Sequence, residues 1–434
     1  MKKLFIILLV AIIGFSCTNI RFSKHQVYRK MIDTSQVFKQ ATTGLMLYNI
    51  SQQKTIYSKN AHKYFVPASN TKLFTLYSSL QLLKDSIPAL KYIEEGDSIT
   101  FWGTGDPTFL HPDFENKSTA LDFLKSVGGK KKLYFSDGNF AGESQGKGWA
   151  WDDYNDYYAA EKSPLPMYGN FVRVRVDSGQ INIQPSIFSN SFYKKDDGKI
   201  VQRTLNDNLF LLPKNLLQAD KYRQDIPFKT SSALNQQLLM DTLKLYVGVS
   251  KKPVINTAKT IYSIPSDQLL SIMMQESDNM MAEHLLLLCG SNIDDSLDTE
   301  FAINYIQEKF LSDLPDKNKW VDGSGLSRYN LFTPRSIVKL LEKMYREFPE
   351  ERLFSLLAVG GKSGTLKNSF NNEENPYIFA KTGSMSGVYN LSGYLKTKKG
   401  QTILFSFMNN NFSTSVSMQR KEVEKILKQV RNRE

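Results

Sequence analysis

Ser69 and Lys72 form a pair of side chains that could carry out nucleophilic catalysis. Apolar residues at helical spacing follow them, which predicts a helix that begins at Ser69 and carries Lys72 one turn on, on the same face. Serine is a weak nucleophile and needs a neighbouring base, a role that lysine can fill when burial or other cations lower its pKa. The N–H groups at the start of the helix would also face a developing oxyanion.

The Ser-x-x-Lys spacing alone is a weak indication, because it recurs at places where we interpret it as accidental. These are Ser51/Lys54, Ser144/Lys147, Ser191/Lys194 and Ser336/Lys339. A second motif adds weight. Ser277 and Asn279 lie between two apolar stretches with helical periodicity, so we expect them to project from a short loop that joins two helices.

The third motif, Lys381-Thr382-Gly383-Ser384, occurs once and leads into residues with a strand-like pattern. A lysine and hydroxyls on a strand edge suit an extended substrate that ends in a carboxylate, and Gly383 would let the backbone approach closely.

In this order, Ser-x-x-Lys, Ser-Asp-Asn and Lys-Thr-Gly are the signature of class A β-lactamases and penicillin-binding proteins, which this chain therefore resembles. The 208 positions from Ser69 to Ser277 exceed what a class A β-lactamase requires, which indicates an insertion. Further segments resemble the D-alanyl-D-alanine carboxypeptidase/endopeptidase family, the class C low-molecular-mass penicillin-binding proteins of the penicillin-binding protein 4 type. These segments are 103–108, 148–153, 157–160, 322–327 and 364–366.

The resemblance implies an α/β (α+β) fold, in which a penicillin-recognising transpeptidase domain, an antiparallel sheet flanked by helices, carries a large β-rich insertion of one or two extra domains. With 434 residues, 41% of them hydrophobic, the chain is also longer than one core usually needs. We expect a signal peptide in 1–16, a polar tether in 17–40, the catalytic domain in 41–95 and 248–434, and the insertion in 96–247. Alternating residues predict an N-terminal β-hairpin within 43–57.

The resemblance also implies a mechanism of peptidoglycan stem-peptide cleavage through an acyl-enzyme. Ser69 would attack the penultimate D-Ala carbonyl while Lys72 takes its proton, and Ser277, with Lys381 nearby, would relay a proton to the leaving amine. The remaining roles are substrate contacts. Asn279 would hold the substrate amide, and Thr382 and Ser384 would bind the terminal carboxylate. The N–H groups of Ser69 and Ser384 would form the oxyanion hole.

Asp153 is predicted to bind the free amine of the substrate's diamino acid, with Asp152 as the adjacent alternative, because the family's Trp-rich segment approaches the cleft. Tyr158 is a second candidate for substrate binding in the same segment. The aromatics Trp149, Trp151, Tyr157 and Tyr158 are more often core than site residues, but they could equally wall the pocket.

Two other functions remain open. A β-lactamase or esterase on the same catalytic fold would turn penicillin over rapidly. No segment between the first two motifs resembles the glutamate loop that class A β-lactamases use for deacylation. We therefore expect penicillin to inhibit this protein. A non-catalytic peptidoglycan-binding lipoprotein would keep the fold without acylation, which intact Ser69, Lys72 and Lys381 argue against. A Ser-His hydrolase using His62 would need the Gly-x-Ser-x-Gly elbow, which is missing there.

The N-terminus predicts export to the cell envelope. Two lysines precede an apolar run from Leu4 to Phe15, which is shorter than the roughly 20 residues that span a bilayer. Ser16 before Cys17 suggests lipid attachment at Cys17, which would make the protein a periplasmic, membrane-anchored lipoprotein. Gly14 and Phe15 depart from the usual lipobox. The alternative is an ordinary secretory signal with a stray cysteine.

The expected partners are peptidoglycan peptides, β-lactam inhibitors and a membrane reached through the lipid. The formal charge of +12 becomes +10 once Lys2 and Lys3 are removed, and this surplus could favour anionic lipid or an acidic polymer, or simply be a solvated surface. We expect no cofactor, because the four histidines show no paired spacing for a metal. No basic block interleaved with aromatics indicates nucleic acid, and no pattern indicates an oligomeric state.

Overall fold

The structure, a computed structural model, describes residues 23–114, 118–371 and 375–434. The predicted signal peptide and Cys17 lie outside these residues. Among the helices that are described, none combines the length and apolarity required to cross a bilayer.

A six-stranded antiparallel sheet forms the centre of the catalytic part, in the spatial order β14-β15-β16-β17-β1-β2. Its strands are β1 (Thr42–Asn49), β2 (Lys54–Lys59), β14 (Ala358–Val359), β15 (Ile378–Met385), β16 (Val388–Lys396) and β17 (Thr402–Asn410). The predicted N-terminal hairpin is confirmed, because β1 and β2 pair antiparallel across a short turn. β1 also pairs with β17, so the N-terminal hairpin extends a sheet built mainly from the end of the chain.

Helices cover both faces of this sheet. One face packs against α1 (Lys24–Thr34), α2 (Gln36–Lys39) and the C-terminal helix α11, Val416–Arg433. The other face packs into a core shared with six helices, of which α3 carries Lys72 and α7 carries Asn279. These helices are α3 (Lys72–Leu82), α6 (Ser266–Gln275), α7 (Asn279–Asp294), α8 (Thr299–Phe310), α9 (Pro334–Glu347) and α10 (Glu350–Leu356).

The first two helices lie within the predicted tether. Tyr28 and Ile32 of α1 and Phe38 of α2 are buried against the sheet, and Ser23 caps α1 through a capping box. Burying these three apolar side chains stabilises the ordered state, so the segment is helical from residue 24 although its mean composition is polar.

The inserted region contains three further sheets and a core of its own. A five-stranded mixed sheet has the order β12-β5-β4-β3-β13, and two three-stranded sheets have the orders β11-β6-β7 and β8-β10-β9. The strands are β3 (Ser86–Glu95), β4 (Ser98–Gly103), β5 (Lys132–Ser136), β6 (Phe171–Asp177), β7 (Gln180–Gln184), β8 (Phe192–Lys195), β9 (Gln202–Arg203), β10 (Phe210–Pro213), β11 (Lys221–Pro227), β12 (Val247–Ser250) and β13 (Lys259–Pro265). Helices α4 (Thr119–Gly128) and α5 (Ser232–Leu243) pack into the same core.

The five-stranded sheet extends beyond the range 96–247 on both sides. β3, which ends before residue 96, pairs with β4 and with β13, which lies after residue 247, and β12 runs past residue 247. The two chain segments that join the inserted region to the catalytic part therefore run side by side as paired strands, which fixes the insertion by backbone hydrogen bonds.

Candidate active site

Ser69 lies on a short 3-10 helix, Ala68–Thr71, that runs directly into α3. The structure thus places Ser69 just before the α-helix, and Lys72 is its first residue. The turn is held from behind by Gly325, whose φ is 80°, and a Cβ there would lie 1.9 Å from the carbonyl oxygen of Ala68. Only a residue without a side chain lets the two backbones approach this closely.

Lys72 is fully buried and contacts the nucleophile directly. Its Nζ lies 3.1 Å from Ser69 Oγ, 2.7 Å from Asn279 Oδ1 and 2.8 Å from the carbonyl oxygen of Ser324. The last two atoms can only accept hydrogen bonds. A neutral amine would give its two N–H groups to these acceptors and direct its lone pair at the Ser69 hydroxyl.

Burial lowers the pKa of Lys72 to about 8, although the nearby carboxylates Asp278, Glu283 and Asp322 act in the opposite direction. An ordinary lysine has a pKa near 10.4 and is almost wholly protonated at pH 7. With a pKa of about 8, about one Lys72 side chain in ten is neutral at pH 7. The site therefore supplies a base at physiological pH.

Ser277 lies in the short connection between α6 and α7, with a left-handed backbone at φ 63°. Asn279 differs slightly from prediction, because it is the first residue of α7 and not a loop residue; the Asp278 side chain caps this helix. Asn279 Nδ2 donates to the carbonyl oxygen of Tyr158 at 3.0 Å, so this residue bridges Lys72 and the inserted region.

Lys381 is buried on β15, and its Nζ donates to Ser277 Oγ at 2.7 Å and to the Thr382 carbonyl oxygen at 2.9 Å. Its pKa is lowered well below the usual lysine value, first by burial and second by the charge of Lys72. Each of the two lysines thus contacts one of the two serines, Ser69 or Ser277.

The rest of the third motif lines the strand beside the nucleophile. The Thr382 hydroxyl donates to Thr365 Oγ1 at 2.8 Å and is nearly buried. A Cβ at Gly383 would lie 2.6 Å from the carbonyl oxygen of Pro67, so this glycine lets β15 pack against the turn before Ser69. Ser384 faces the open cleft.

The cleft in front of Ser69 has a volume of about 620 Å³ and is walled by both parts of the chain. The catalytic part contributes Ala68, Ser69, Glu276, Ser277, Asn279, Gly325, Leu326, Arg328, Ser384, Met385 and Ser386, and the inserted region contributes Gly148, Ala150, Asp152, Asp153, Tyr157 and Tyr158. The structure therefore brings Ser69, Ser277, Asn279 and Ser384 to one cavity, with Lys72 and Lys381 buried beneath it.

Asp153 and Tyr158 both line this cleft and contact each other. Tyr158 Oη lies 3.0 Å from Asp153 Oδ1 and 3.1 Å from Asp156 Oδ2. Partial burial and then the charges of Asp152 and Asp156 raise the pKa of Asp153, while the bond from Tyr158 lowers it. Of the four aromatics, Tyr157 and Tyr158 wall the pocket, whereas Trp151 is 73% exposed and therefore not a core residue.

Four further groups around the cleft had no predicted role in chemistry. The Ser324 carbonyl oxygen accepts from Lys72, and buried Asp322 shapes that turn by accepting from the N–H groups of Gly325 and Ser327. Burial and the neighbouring Glu283 raise the pKa of Asp322 to about 6. Asp322 therefore acts on the backbone of this turn, and the contact made by the Ser324 carbonyl oxygen is one that residue types do not reveal.

Arg328 and Glu276 are the other two groups, and both are exposed at the cleft. Arg328 donates to the carbonyl oxygen of Ser386 at 2.8 Å. Each is adjacent in sequence to a predicted segment, and this adjacency is the signal in the sequence that indicates them.

The histidines do not take part in the site. His284 is fully buried on α7, and burial lowers its pKa to about 3. His62 is exposed and does not line the cleft. Over the described residues, no group of three His, Cys, Asp or Glu side chains could hold a metal ion.

Comparisons with known proteins identify relatives over nearly the whole chain. The sequence profile of the D-Ala-D-Ala carboxypeptidase 3 (S13) family matches residues 26–204 and 219–430. The D-alanyl-D-alanine carboxypeptidase DacB of Haemophilus influenzae is 26% identical over 437 residues, covering 88% of this chain and 88% of its own. The D-alanyl-D-alanine carboxypeptidase of Actinomadura sp. (strain R39) is 26% identical, covering 86% of this chain and 78% of its own.

The crystal structure of penicillin binding protein 4 (dacB) from Haemophilus influenzae has the same fold. It superimposes with a TM-score of 0.74 at 18% identity, covering 94% of this chain and 98% of that one. The predicted fold class, a penicillin-recognising domain with extra sheet domains, is confirmed.

Proposed function

This chain belongs to the D-Ala-D-Ala carboxypeptidase 3 (S13) family and is a penicillin-binding peptide hydrolase, and from this premise we propose that Ser69 is its nucleophile. The substrate is a peptidoglycan stem peptide ending in D-Ala-D-Ala. Ser69 Oγ attacks the carbonyl carbon of the penultimate D-Ala, an ester bond forms, and the amide bond to the terminal D-Ala breaks.

One observation supports this assignment most strongly: the buried Lys72 amine lies 3.1 Å from Ser69 Oγ and otherwise contacts only acceptors. It takes the hydroxyl proton as the ester forms, as a general base must lie within hydrogen-bond reach of its proton. A pKa of about 8 makes this transfer possible near neutral pH.

The leaving amine receives its proton from Ser277, which is replenished by Lys381 at 2.7 Å. The burial of Lys381 lowers its pKa, so it can give up a proton that an exposed lysine would retain. A water oxygen then bonds to the acyl carbon as the bond to Ser69 Oγ breaks. Ser69 Oγ recovers the proton held by Lys72, and the proton that the water loses replaces the one that Lys381 gave up.

The remaining motif residues bind the substrate. The N–H groups of Ser69 and Ser384 form the oxyanion hole, each donor contributing about 3 to 4 kcal/mol to the transition state in comparable sites. Asn279 holds the substrate amide, Thr382 and Ser384 hold the terminal carboxylate, and Gly383 keeps the strand close to the turn that carries Ser69.

Asp153 binds the free amine of the substrate's diamino acid, and Tyr158 positions the Asp153 carboxylate. The support is geometric: both residues line the cleft, and Tyr158 Oη lies 3.0 Å from Asp153. A carboxylate at the rim of this cleft would attract a cationic side chain.

The enzyme acts in the cell envelope. We propose that residues 1–16 are a signal peptide, that Cys17 carries lipid, and that the mature enzyme is a periplasmic lipoprotein held at a membrane beside its peptidoglycan substrate. The support is the short apolar run followed by Ser16 and Cys17.

Labelling with a fluorescent penicillin tests the assignment of the nucleophile. The wild type should form a stable ester, and Ser69→Ala should abolish it. Ser51→Ala is the matched control, because Ser51 has the same Ser-x-x-Lys spacing in the exposed turn between β1 and β2, and it should label normally. Labelling of Ser69→Ala would mean that another residue is the nucleophile.

Two further measurements separate the remaining functions. Mass analysis of digested peptidoglycan should show loss of terminal D-Ala, cleaved cross-links or both. If penicillin is instead released rapidly and peptidoglycan is left intact, the chain is a β-lactamase on the same fold.

A further inference from the structure

The positive charge of this protein is concentrated in one layer of the molecule. Residues 23–59 and 396–434 contain fifteen Lys and Arg but four Asp and Glu, a formal charge of +11. Residues 60–395 contain 37 basic and 39 acidic residues, a formal charge of −2. The chain's surplus of +12 therefore resides almost wholly in these two end segments and in the three basic residues of 1–22.

The two end segments meet in space on one face of the central sheet. Helices α1, α2 and α11 pack together there with the β1–β2 hairpin, and we refer to residues 23–59 and 396–434 as the basic layer. Its acidic side chains already have partners: Asp33 pairs with Lys59, Glu434 with Lys24 and Glu422 with Lys425, while Glu424 accepts from the Phe370 N–H.

Helix α11 presents a regular basic stripe to solvent. Lys421, Lys425 and Lys428 are exposed at i, i+4 and i+7, on one side of the helix, while Val423, Ile426, Leu427 and Val430 are buried on the other. Lys421 and Lys428 form no ion pair with any residue that the structure describes. Such a stripe suits a flat surface of negative charge.

The start of the described chain lies at the same place. Lys24 Nζ pairs with Glu434 Oε2 at 2.8 Å, and Tyr28 donates to Glu434 Oε1 at 2.7 Å, so α1 begins beside the end of α11. Cys17, the proposed site of lipid attachment, lies six residues before Ser23, and a fully extended chain of that length spans at most about 22 Å. A membrane-attached N-terminus would therefore keep the basic layer near the bilayer surface.

We propose that the basic layer docks on an anionic phospholipid surface and orients the enzyme there. This inference rests on the proposed envelope location. The catalytic turn with Ser69 packs with the helices on the opposite face of the sheet, so docking leaves the cleft directed away from the lipid, toward the wall. The basic layer adds electrostatic attraction to that of the lipid at Cys17 and determines which face of the enzyme meets the bilayer.

Vesicle sedimentation tests the proposal on the mature chain, residues 17–434, carrying Cys17→Ser, which lacks both the apolar run and the lipid. It should bind vesicles of phosphatidylglycerol and phosphatidylcholine, bind pure phosphatidylcholine poorly, and dissociate in 0.5 M NaCl, because salt screens exposed charges over about 3 to 10 Å. Changing Lys421, Lys425 and Lys428 together to Gln should weaken binding about 100-fold, since each basic residue near an anionic surface contributes about fivefold.

The matched control changes Lys194, Lys199 and Lys221 to Gln, which removes the same charge from exposed positions of the inserted region. It should bind like the parent. Equal weakening in both variants would show that only net charge matters and would overturn the proposal, as would equal binding to both vesicle types. Binding to isolated peptidoglycan but not to vesicles would make the layer a wall-binding surface instead.

Penicillin labelling of every variant keeps this test separate from the catalytic proposal. Failure to bind vesicles with labelling intact overturns the docking surface alone. If the parent protein fails to label, the catalytic assignment is wrong, and the vesicle result still tests the docking surface on its own.

Discussion

Lys72 makes the chemistry of the site depend on pH. Its pKa is lowered to about 8, so the neutral amine is the minor form at pH 7 and increases as pH rises. The rate of penicillin acylation should therefore rise about tenfold per pH unit between pH 5.5 and 7.5 and level off above about pH 8.5. Stopped-flow acylation between pH 5 and 10 measures the profile.

A single substitution that adds a negative charge beside Lys72 should shift the pH profile. Asn279→Asp places a carboxylate where Oδ1 now lies 2.7 Å from Lys72 Nζ, which favours the ammonium form and should move the midpoint upward by at least about one unit. A flat profile in the wild type, or an unmoved midpoint in this variant, would mean that Lys72 is not the base.

Asp153 should determine specificity and not acylation chemistry. A carboxylate that meets an ammonium at a partly buried rim gives a charge-assisted hydrogen bond of about 1.5 to 3 kcal/mol. Asp153→Asn should slow cleavage of peptides that carry the free amine by about tenfold to hundredfold, while penicillin acylation stays nearly unchanged.

The adjacent Asp152→Asn is the matched control, since Asp152 lines the same cleft but is more exposed. Steady-state kinetics with amine-bearing and acetylated peptides compare the two variants. If Asp153→Asn lowers peptide cleavage and acylation equally, or if Asp152→Asn has the larger effect, Asp153 is not the amine-binding residue.

At this scale the sequence predicted functional side chains but not functional backbone atoms. Side-chain roles such as those of Ser69 and Lys381 are visible in motifs. The Ser324 carbonyl oxygen is a backbone acceptor that any residue type would supply, and Asp322 acts through backbone N–H groups. Such contacts depend on how the loops fold, so residue types alone do not reveal them.

At the scale of elements, the position of Ser69 depends on a close approach between two turns. Gly325 has φ 80°, and a Cβ there would lie 1.9 Å from the Ala68 carbonyl oxygen, whereas Gly96 has φ 62° with nothing within 4 Å. Gly325→Ala should displace the catalytic turn and lower acylation about 100-fold, as misplacement by about 1 Å does at other sites.

Gly96→Ala serves as the control for backbone strain, because it carries a similar cost of about 1 to 3 kcal/mol without the clash. Acylation rates and thermal midpoints should be measured for both variants. Normal acylation in folded Gly325→Ala would show that the turn tolerates the side chain, and the proposed constraint would be wrong.

Element boundaries show why pattern alone misses some structure. Periodicity predicted the β1–β2 hairpin and the helix after Ser69, because their buried faces repeat at the period of a strand or a helix. It missed α1, since Tyr28 and Ile32 are the fully buried residues in a helix that is polar apart from these two, Val27 and Met31. Their burial depends on β1, β17 and α11, which are brought together only by the tertiary fold.

At the scale of the whole molecule, the length between motifs predicted that an insertion exists, but not how it is built. The five-stranded sheet uses β3 and β13, which lie on either side of the predicted range, because strands pair across long stretches of sequence. The walls of the cleft come from both parts of the chain, with Asp153 and Tyr158 on one side and Ser277 and Ser384 on the other.

Attachment of the whole molecule to a membrane should depend on Cys17. If the apolar run is removed and Cys17 carries lipid, the wild type should sediment with membranes after a 0.5 M NaCl wash, while Cys17→Ser should be released by the same wash, because salt screens the charge of the basic layer. Fractionation before and after the wash, followed by penicillin labelling, measures both location and folding. Retention of Cys17→Ser after the wash would indicate that the apolar run is kept as a membrane anchor, and a freely soluble wild type would indicate plain secretion. Either result would contradict the lipoprotein assignment, while labelling at Ser69 would be unaffected.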